Sequence, residues 1–341
     1  MSMLKYIFKR FLSLIPVLFG AITLTFILSR MMPGDPVLAY LGERFTPEQY
    51  YSMMRQLGLD RPILEQYFRY LGDLFTGNWG VSVVINRGQP VWDLVLERFF
   101  RTFDITLFAV IIAAAIGIKT GVISARHRNK AKDTIFRGIA LIGVSIPVFW
   151  MGMLLQYYIS IQLGWLPAIG YKTAGIGNPP VITHFRIWDC ILMFNAEGMH
   201  LLFDYLEHLI LPVACLSFIS LASITRQTRS SMLEVLEQDY VRTARAKGAK
   251  EKDVINTHAR KNALIPTVTV IGLSFAGLLS GAVLTETTFN LNGMGDLLIM
   301  AIINTDYWVL NGIVFLTTIT FIVINLMIDI LYGFIDPRIR Y

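Results

Sequence analysis

The side chains best suited to metal or nucleophile chemistry are five histidines, His127, His184, His200, His208 and His258, and two cysteines, Cys190 and Cys215. Zinc sites place two such ligands at short spacing, as in HExxH or CxxC. None of these seven residues stands in that pattern. His208 opens an apolar run and His258 lies in a basic one, where packing or headgroup contact is the ordinary role. Cys215 sits inside an apolar segment as a small packing residue. A nucleotide-phosphate loop needs Gly-Lys followed by Ser or Thr, and the sequence has no Gly-Lys dipeptide. Gly117-Ile118-Lys119-Thr120 echoes such a loop with the wrong spacing. No GxSxG nucleophile motif occurs. An intramembrane lipid-modifying enzyme would need acids, histidines or serines clustered near one membrane face, and the sequence shows no such cluster. The expectation is a chain that is not an enzyme, with no catalytic residue, metal or cofactor of its own.

One long polar stretch, residues 226–261, is suited to act on a partner. Ser230 or Ser231 can cap a helix, and Met232, Leu233, Val235 and Leu236 follow. Then comes Gln238-Asp239-Tyr240-Val241-Arg242-Thr243-Ala244-Arg245-Ala246-Lys247-Gly248. Ala244 and Ala246 favour helix, and Gly248 suits the left-handed position that ends one. A second amphipathic run, Val254 to Ala263, leads to Pro266. A helix–glycine–helix element of this kind can seat in a groove of a soluble partner. A basic amphipathic helix can equally lie on anionic headgroups. Pattern alone leaves both uses open.

The elements that must carry this stretch are membrane spans. The chain has 341 residues, 54% hydrophobic and 16% charged. Soluble domains run about 45–50% apolar and about 25% charged, so a lipid phase is the natural sink for the surplus. A span needs about 20 mostly apolar residues. Six stretches qualify: Phe11 to Leu28, Phe103 to Ser124, Ile139 to Leu163, Leu206 to Ile224, Ala263 to Leu284 and Val309 to Tyr332. The first follows Lys5, Lys9 and Arg10, but it is too long for a cleaved signal core and reads as a retained anchor. The formal net charge is +6, and the basic residues cluster beside the spans, so they read as topology signals, with no nucleic-acid partner. Arg126, Arg128, Lys130, Lys132 and Arg137 lie between spans two and three; the 226–261 stretch lies between four and five. Glu286, Asp296 and Asp306 lie between five and six, with no basic residue. The positive-inside rule then puts both termini and both basic loops in the cytoplasm.

The expected fold class is an all-α membrane protein with six transmembrane helices. Residues 1–30 form the N-terminus and first span, 31–102 an external helical subdomain, and 103–341 a five-helix transmembrane core with the 226–261 loop. Within the subdomain, Thr46-Pro47-Glu48-Gln49 predicts a capped helix running to about Leu57 and stopped by Gly58. Pro62 to Phe75 predicts a second. Pro147, Pro212 and Pro266 fall in or at the ends of spans, as hinges of a gate or as fixed kinks. Ser145, Gln156, Ser274 and Ser280 are polar residues within spans that can join helices together.

The stretch Tyr240 to Gly248 resembles the coupling loop of permeases in the peptide/nickel branch of ATP-binding-cassette importers. The wider family has Glu-Ala-Ala, three residues, then Gly; here Arg242-Thr243-Ala244 and Gly248 hold those places. The resemblance covers nearly the whole chain and is that of the B-type permease of dipeptide and oligopeptide systems. It includes Arg30-Met31-Met32-Pro33-Gly34-Asp35-Pro36, Leu57-Gly58-Leu59-Asp60-Arg61-Pro62 and Ser145-Ile146-Pro147-Val148-Phe149-Trp150-Met151-Gly152. It continues through His258 to Pro266, Ala282-Val283-Leu284-Thr285-Glu286-Thr287, Asp329-Ile330-Leu331-Tyr332-Gly333 and Asp336-Pro337-Arg338. Two positions depart: family members usually have proline near Asn292, and proline is common where Lys119 stands. The first loss predicts a less rigid external turn; Lys119, near the end of its span, can snorkel to the edge.

The resemblance implies the partners: a second permease, two ATPase subunits that hold ATP and Mg, an external solute-binding protein, and membrane lipids. It implies a prokaryotic inner membrane and peptide cargo moved by alternating access, with oligosaccharides or nickel as the alternatives. Asp239, Tyr240, Val241, Arg242, Thr243, Ala244, Arg245, Lys247 and Gly248 would then couple the spans to the ATPases. A passive channel would need no such loop.

Overall fold

The computed structural model describes residues 3–31, 34–42 and 44–335. Met32-Pro33 of the 30–36 motif and Asp336-Pro337-Arg338 lie outside the described residues. Among the described residues, five helices are long and apolar enough to span a membrane, and a sharply bent pair counts as a sixth if its two halves make one span. β pairing is confined to a bridge between Val81 and Pro90.

The first span, α1 (Met3–Met31), runs beside the last helix of the chain. After it, Asp35 caps α2 (Pro36–Leu41) by accepting from Val37 N at 2.8 Å. Its second carboxylate oxygen accepts from the Tyr50 hydroxyl at 2.7 Å, which pushes the phenol above its ordinary pKa. Tyr50 belongs to α3 (Pro47–Gln56), whose expected capping box is formed: Gln49 N donates to Thr46 Oγ1 and Thr46 N to Gln49 Oε1. Then α4 (Ile63–Thr76) ends at Gly77 in the left-handed region.

The remaining spans follow. The second span is α5 (Val91–Arg126), which begins well before Phe103, so residues 91–102 are the outer turns of a continuous helix. The third departs from the expected single helix over 139–163. It is α6 (Ala131–Ser145) and α7 (Val148–Leu155), continued by a π-helical stretch, Gln156–Gln162, with a bend of 102° between the two halves. The cause is local. Pro147 offers no N–H to the α6 ladder, and Ile146 before it is extended at φ −84°, ψ 126°.

A short α8 (Arg186–Leu192) precedes α9 (Ala196–Leu236). At 41 residues, α9 is about 60 Å long, twice a hydrocarbon core of about 30 Å. Helix therefore runs on beyond Ile224, and the expected start at Ser230 or Ser231 is absent: both lie inside α9, where Ser231 is buried and accepts from Gln227 Nε2. The close approach of α5 and α9 rests on small residues. A Cβ on Gly121 would sit 2.6 Å from Thr228 Cβ.

The remaining elements are α10 (Asp239–Ala246), α11 (Glu251–Asp253), a π-helical stretch Val254–Ala259, α12 (Arg260–Gly281), α13 (Val283–Phe289), α14 (Met294–Ile303) and α15 (Tyr307–Ile335). Pro212 is buried inside α9, Pro266 is exposed inside α12, and neither ends its helix. Leu284, expected as the end of span five, belongs to α13. Ser145 and Ser280 donate to carbonyls one turn back in their own helices. Gln156 does join segments, donating to the carbonyls of Ala168 and Thr288 at 2.9 Å each.

Candidate functional site

Every residue from Asp239 to Lys247 that was singled out from the sequence falls on α10 or its C-cap. The helix packs against the 254–259 stretch and the end of α9. Val241 is its fully buried residue and Ala244 is half-buried. Asp239, Arg242, Thr243 and Lys247 are exposed. Arg242 faces Asp239 at 3.6 Å, but both side chains stand largely in solvent, at 70% and 97%. An amphipathic helix with one anchor inward and a charged face outward can be gripped by a partner without first being unpacked.

Gly248 ends the element as its type suggests, at φ +80°. The chain then doubles back, and two contacts tie the fold of the loop together. Arg245 donates to both carboxylate oxygens of Glu251, at 3.2 and 3.0 Å, and the Glu251 charge raises the guanidinium's pKa further. Asn262 Nδ2 donates to the Tyr240 hydroxyl at 2.8 Å, so the first turn of α10 is linked to the start of α12. A small apolar cluster of Ala125, Met232, Ile255, Ala259 and Ala263 lies beneath, joining α5, α9 and α12 at this end.

A second linkage was not legible in the sequence. Asp133 and Arg229, which read only as loop charges, form a bidentate pair at 2.7 and 2.8 Å. Asp133 is fully buried and also accepts from Ser124 Oγ and Asn129 N. The pair clamps the α5–α6 turn onto the overhanging part of α9. Arg128 adds a surface bond to Glu237 at 2.9 Å, one residue beyond the end of α9. The residues are about a hundred positions apart, so spacing gave no signal.

The three prolines singled out from the sequence do not gather at this site. Pro147 stands at the α6–α7 bend, while Pro212 and Pro266 are in two other helices. Lys119 is exposed on α5, seven residues before its end at Arg126. At the opposite end of the bundle, Asn292 has φ +52°, a value closed to proline. Its carbonyl accepts from Arg98 and Arg101 at 2.7 and 3.1 Å, so side chains hold the turn expected to be looser. Beside it, buried Glu286 accepts from Thr102 Oγ1, Gly295 N and Asp296 N. Asp306, also buried, accepts from Ser82 Oγ, Val83 N and Val84 N.

Among the described residues no group of three or more His, Cys, Asp or Glu could hold a metal ion. His208 is buried with Nδ1 2.7 Å from the Asp204 carbonyl, and His258 is exposed.

Comparison with known proteins agrees over the full length. The family model described as binding-protein-dependent transport system inner membrane component matches residues 117–341, and its N-terminal companion matches residues 3–106. The chain is 44% identical to the di/tripeptide transport system permease protein of Pseudomonas aeruginosa, over 99% of both chains. It is 41% identical to the dipeptide transport system permease protein of Alkalihalophilus pseudofirmus, over 99% of this chain and all of that one. Among solved structures, the inward-facing MetNI methionine ABC transporter matches at a TM-score of 0.54 and 17% identity, over 71% of this chain and 96% of that one. That likeness bears on the fold.

Proposed function

The chain belongs to the binding-protein-dependent transport system inner membrane component family, and from that premise we propose that it is the peptide-translocating permease subunit of an ATP-driven importer. The observation that carries the substrate class is identity above 40% over nearly the whole length with dipeptide and di/tripeptide permeases. The chain would pair with a second permease, sit on two ATPase subunits that bind ATP and Mg, and receive cargo from an external binding protein. The α10 end, with its basic loops, would face the cytoplasm of a prokaryotic cell together with both termini.

Coupling is then a question of two states and what biases them. Nucleotide-driven closure of the ATPase pair moves α10. Val241 and the Tyr240–Asn262 bond transmit the motion to α12; the Asp133–Arg229 clamp carries the α5–α6 turn with α9. The break at Pro147, which already separates α6 from α7, absorbs part of the change, and Pro212 and Pro266 mark places where a helix lacks one ladder bond. No step of the chemistry of ATP hydrolysis falls on this chain.

The test is ATPase activity of the co-expressed, reconstituted complex with its binding protein. Peptides should stimulate hydrolysis, and oligosaccharides or nickel should not. Stimulation by oligosaccharides alone would keep the permease assignment and overturn the substrate.

A further inference from the structure

A second site lies at the end of the bundle opposite α10. There a cavity of ≈ 70 Å³ is walled by Arg101 and Asp104 of α5, Asn178 of the loop before α8, Arg186 of α8 and Tyr205 of α9, among others. That is room for about five waters, the scale of one or two residues of extended peptide. Asp104 is only 1% exposed, yet half of its carboxylate is unused. Oδ2 accepts from the Tyr205 hydroxyl at 2.7 Å, while Oδ1 has no partner among the described residues. A buried carboxylate oxygen without a donor is costly.

Arg186 is in the complementary condition. Nη1 donates to Asn178 Oδ1 at 2.9 Å, and the guanidinium carbon stands 5.5 Å from the Tyr171 ring centre and 5.4 Å from that of Tyr205. Nε and Nη2 are buried and unpartnered among the described residues. Those two nitrogens form one edge of the guanidinium, an edge that can grip a carboxylate through two parallel bonds. The same edge of Arg229 does so in this protein, holding Asp133 at 2.7 and 2.8 Å. The other arginine of the wall is already engaged. Arg101 lies 3.9 Å over the Tyr171 ring and donates to Glu97 and to the Asn292 carbonyl.

Tyr205 stands between the two unsatisfied groups, its ring under Arg186 and its hydroxyl on Asp104. A fork for a carboxylate and an acceptor for an ammonium therefore border one small cavity without meeting. A lone phosphate suits it poorly, because Asp104 repels an anion from the same cavity. A ligand that satisfies both groups carries opposite charges a short way apart, as do the termini of an extended dipeptide, about 7 Å from end to end. Under the peptide-import reading, on which this inference rests, cargo arrives at this end of the bundle.

The geometry points to a recognition site for the termini of the cargo, with the C-terminal carboxylate on the Nε–Nη2 edge of Arg186 and the N-terminal ammonium on Asp104 Oδ1. A dipeptide of alanine and photoreactive benzoylphenylalanine tests it. The probe is irradiated at millimolar concentration with the detergent-purified complex of the chain and its partner permease and ATPases, without the binding protein, and adducts are mapped by mass spectrometry. Adducts should fall within residues 97–104 and 178–205, and excess dialanine should suppress them. Dialaninamide, which lacks the carboxylate, and N-acetyl-dialanine, which lacks the ammonium, should each compete about tenfold less well, the loss of one charge-assisted contact. Arg186→Gln should erase the advantage of dialanine over its amide and keep its advantage over the N-acetyl form. Asp104→Asn should do the reverse. Variants that lower labelling without exchanging these preferences would reduce both residues to a structural role and overturn the site. Equal competition by dialanine and dialaninamide on the wild type, or adducts elsewhere alone, would overturn it as well. No adduct at all, in a complex whose ATPase responds to peptide-loaded binding protein, would overturn the site and leave the peptide reading standing; an ATPase that ignores peptide would remove both.

Discussion

The two ends of this permease handle buried charge in different ways. At the end opposite α10, Glu286 and Asp306 sit fully buried and, among the described residues, without a basic partner; Glu286 accepts from the Thr102 hydroxyl and the N–H groups of Gly295 and Asp296, Asp306 from the Ser82 hydroxyl and the N–H groups of Val83 and Val84. At the α10 end, Asp133 is matched by Arg229, and beyond that clamp the structure thins to a helix held by one buried valine and the polar contacts of Arg245 and Tyr240. The first end is closed on itself. The second is finished only up to the point where a partner would take over. A buried acid in a nest of donors fixes a shape; an exposed charged face on a small hinged helix leaves the shape to be set from outside.

If that contrast holds, variants should sort by end. Asp306→Ala leaves the Ser82 hydroxyl and two backbone N–H groups buried without an acceptor, and should cost about 3 kcal/mol, read as a fall in the thermal midpoint of the purified complex. Asp133→Ala should cost less, about 2 kcal/mol, because its Arg229 partner retains some access to water, and it should lower uptake more than the stability loss alone explains. Gly248→Val forces a β-branched residue to a positive φ, about 1–2 kcal/mol of local strain. Global stability and membrane insertion should barely change in that variant, whereas peptide-stimulated uptake should be lost. Arg245→Ala removes an exposed pair worth about 0.3 kcal/mol, and its effect on stability should vanish in high salt. Normal uptake by Gly248→Val, or a stable Asp306→Ala, would erase the difference between the ends.

Much of the scaffold was legible in the sequence because hydropathy and caps are local signals. The Thr46–Gln49 capping box, the Gly58 stop and the left-handed Gly248 all stand where residue type placed them. What escaped was tertiary. The run after Ile224 suggested a fresh helix starting at Ser230 or Ser231, yet α9, packed against α5 and α12, continues through both to Leu236. Pro147 marked a disturbance, but its size depends on the backbone around Ile146. The ten-residue helix α14 is too short to stand out as a span. Of the candidate site, α10 was readable as one amphipathic unit, whereas Asp133–Arg229 joins residues whose charges read as topology signals. The contacts on the Asn292 carbonyl were hidden for the same reason, since Arg98 and Arg101 lie far away in sequence.

The central claim is that the exposed face of α10 meets an ATPase subunit and not the lipid surface. A photoreactive benzoylphenylalanine in place of Arg242, on that face, tests it in intact membranes of cells expressing the whole complex. Irradiation should produce one adduct with an ATPase subunit, and the same probe in place of Gln49, on α3 at the other end, should produce none. An Arg242 adduct with lipid alone, in a complex that still co-purifies with its ATPases, would contradict it and leave α10 as an interfacial helix.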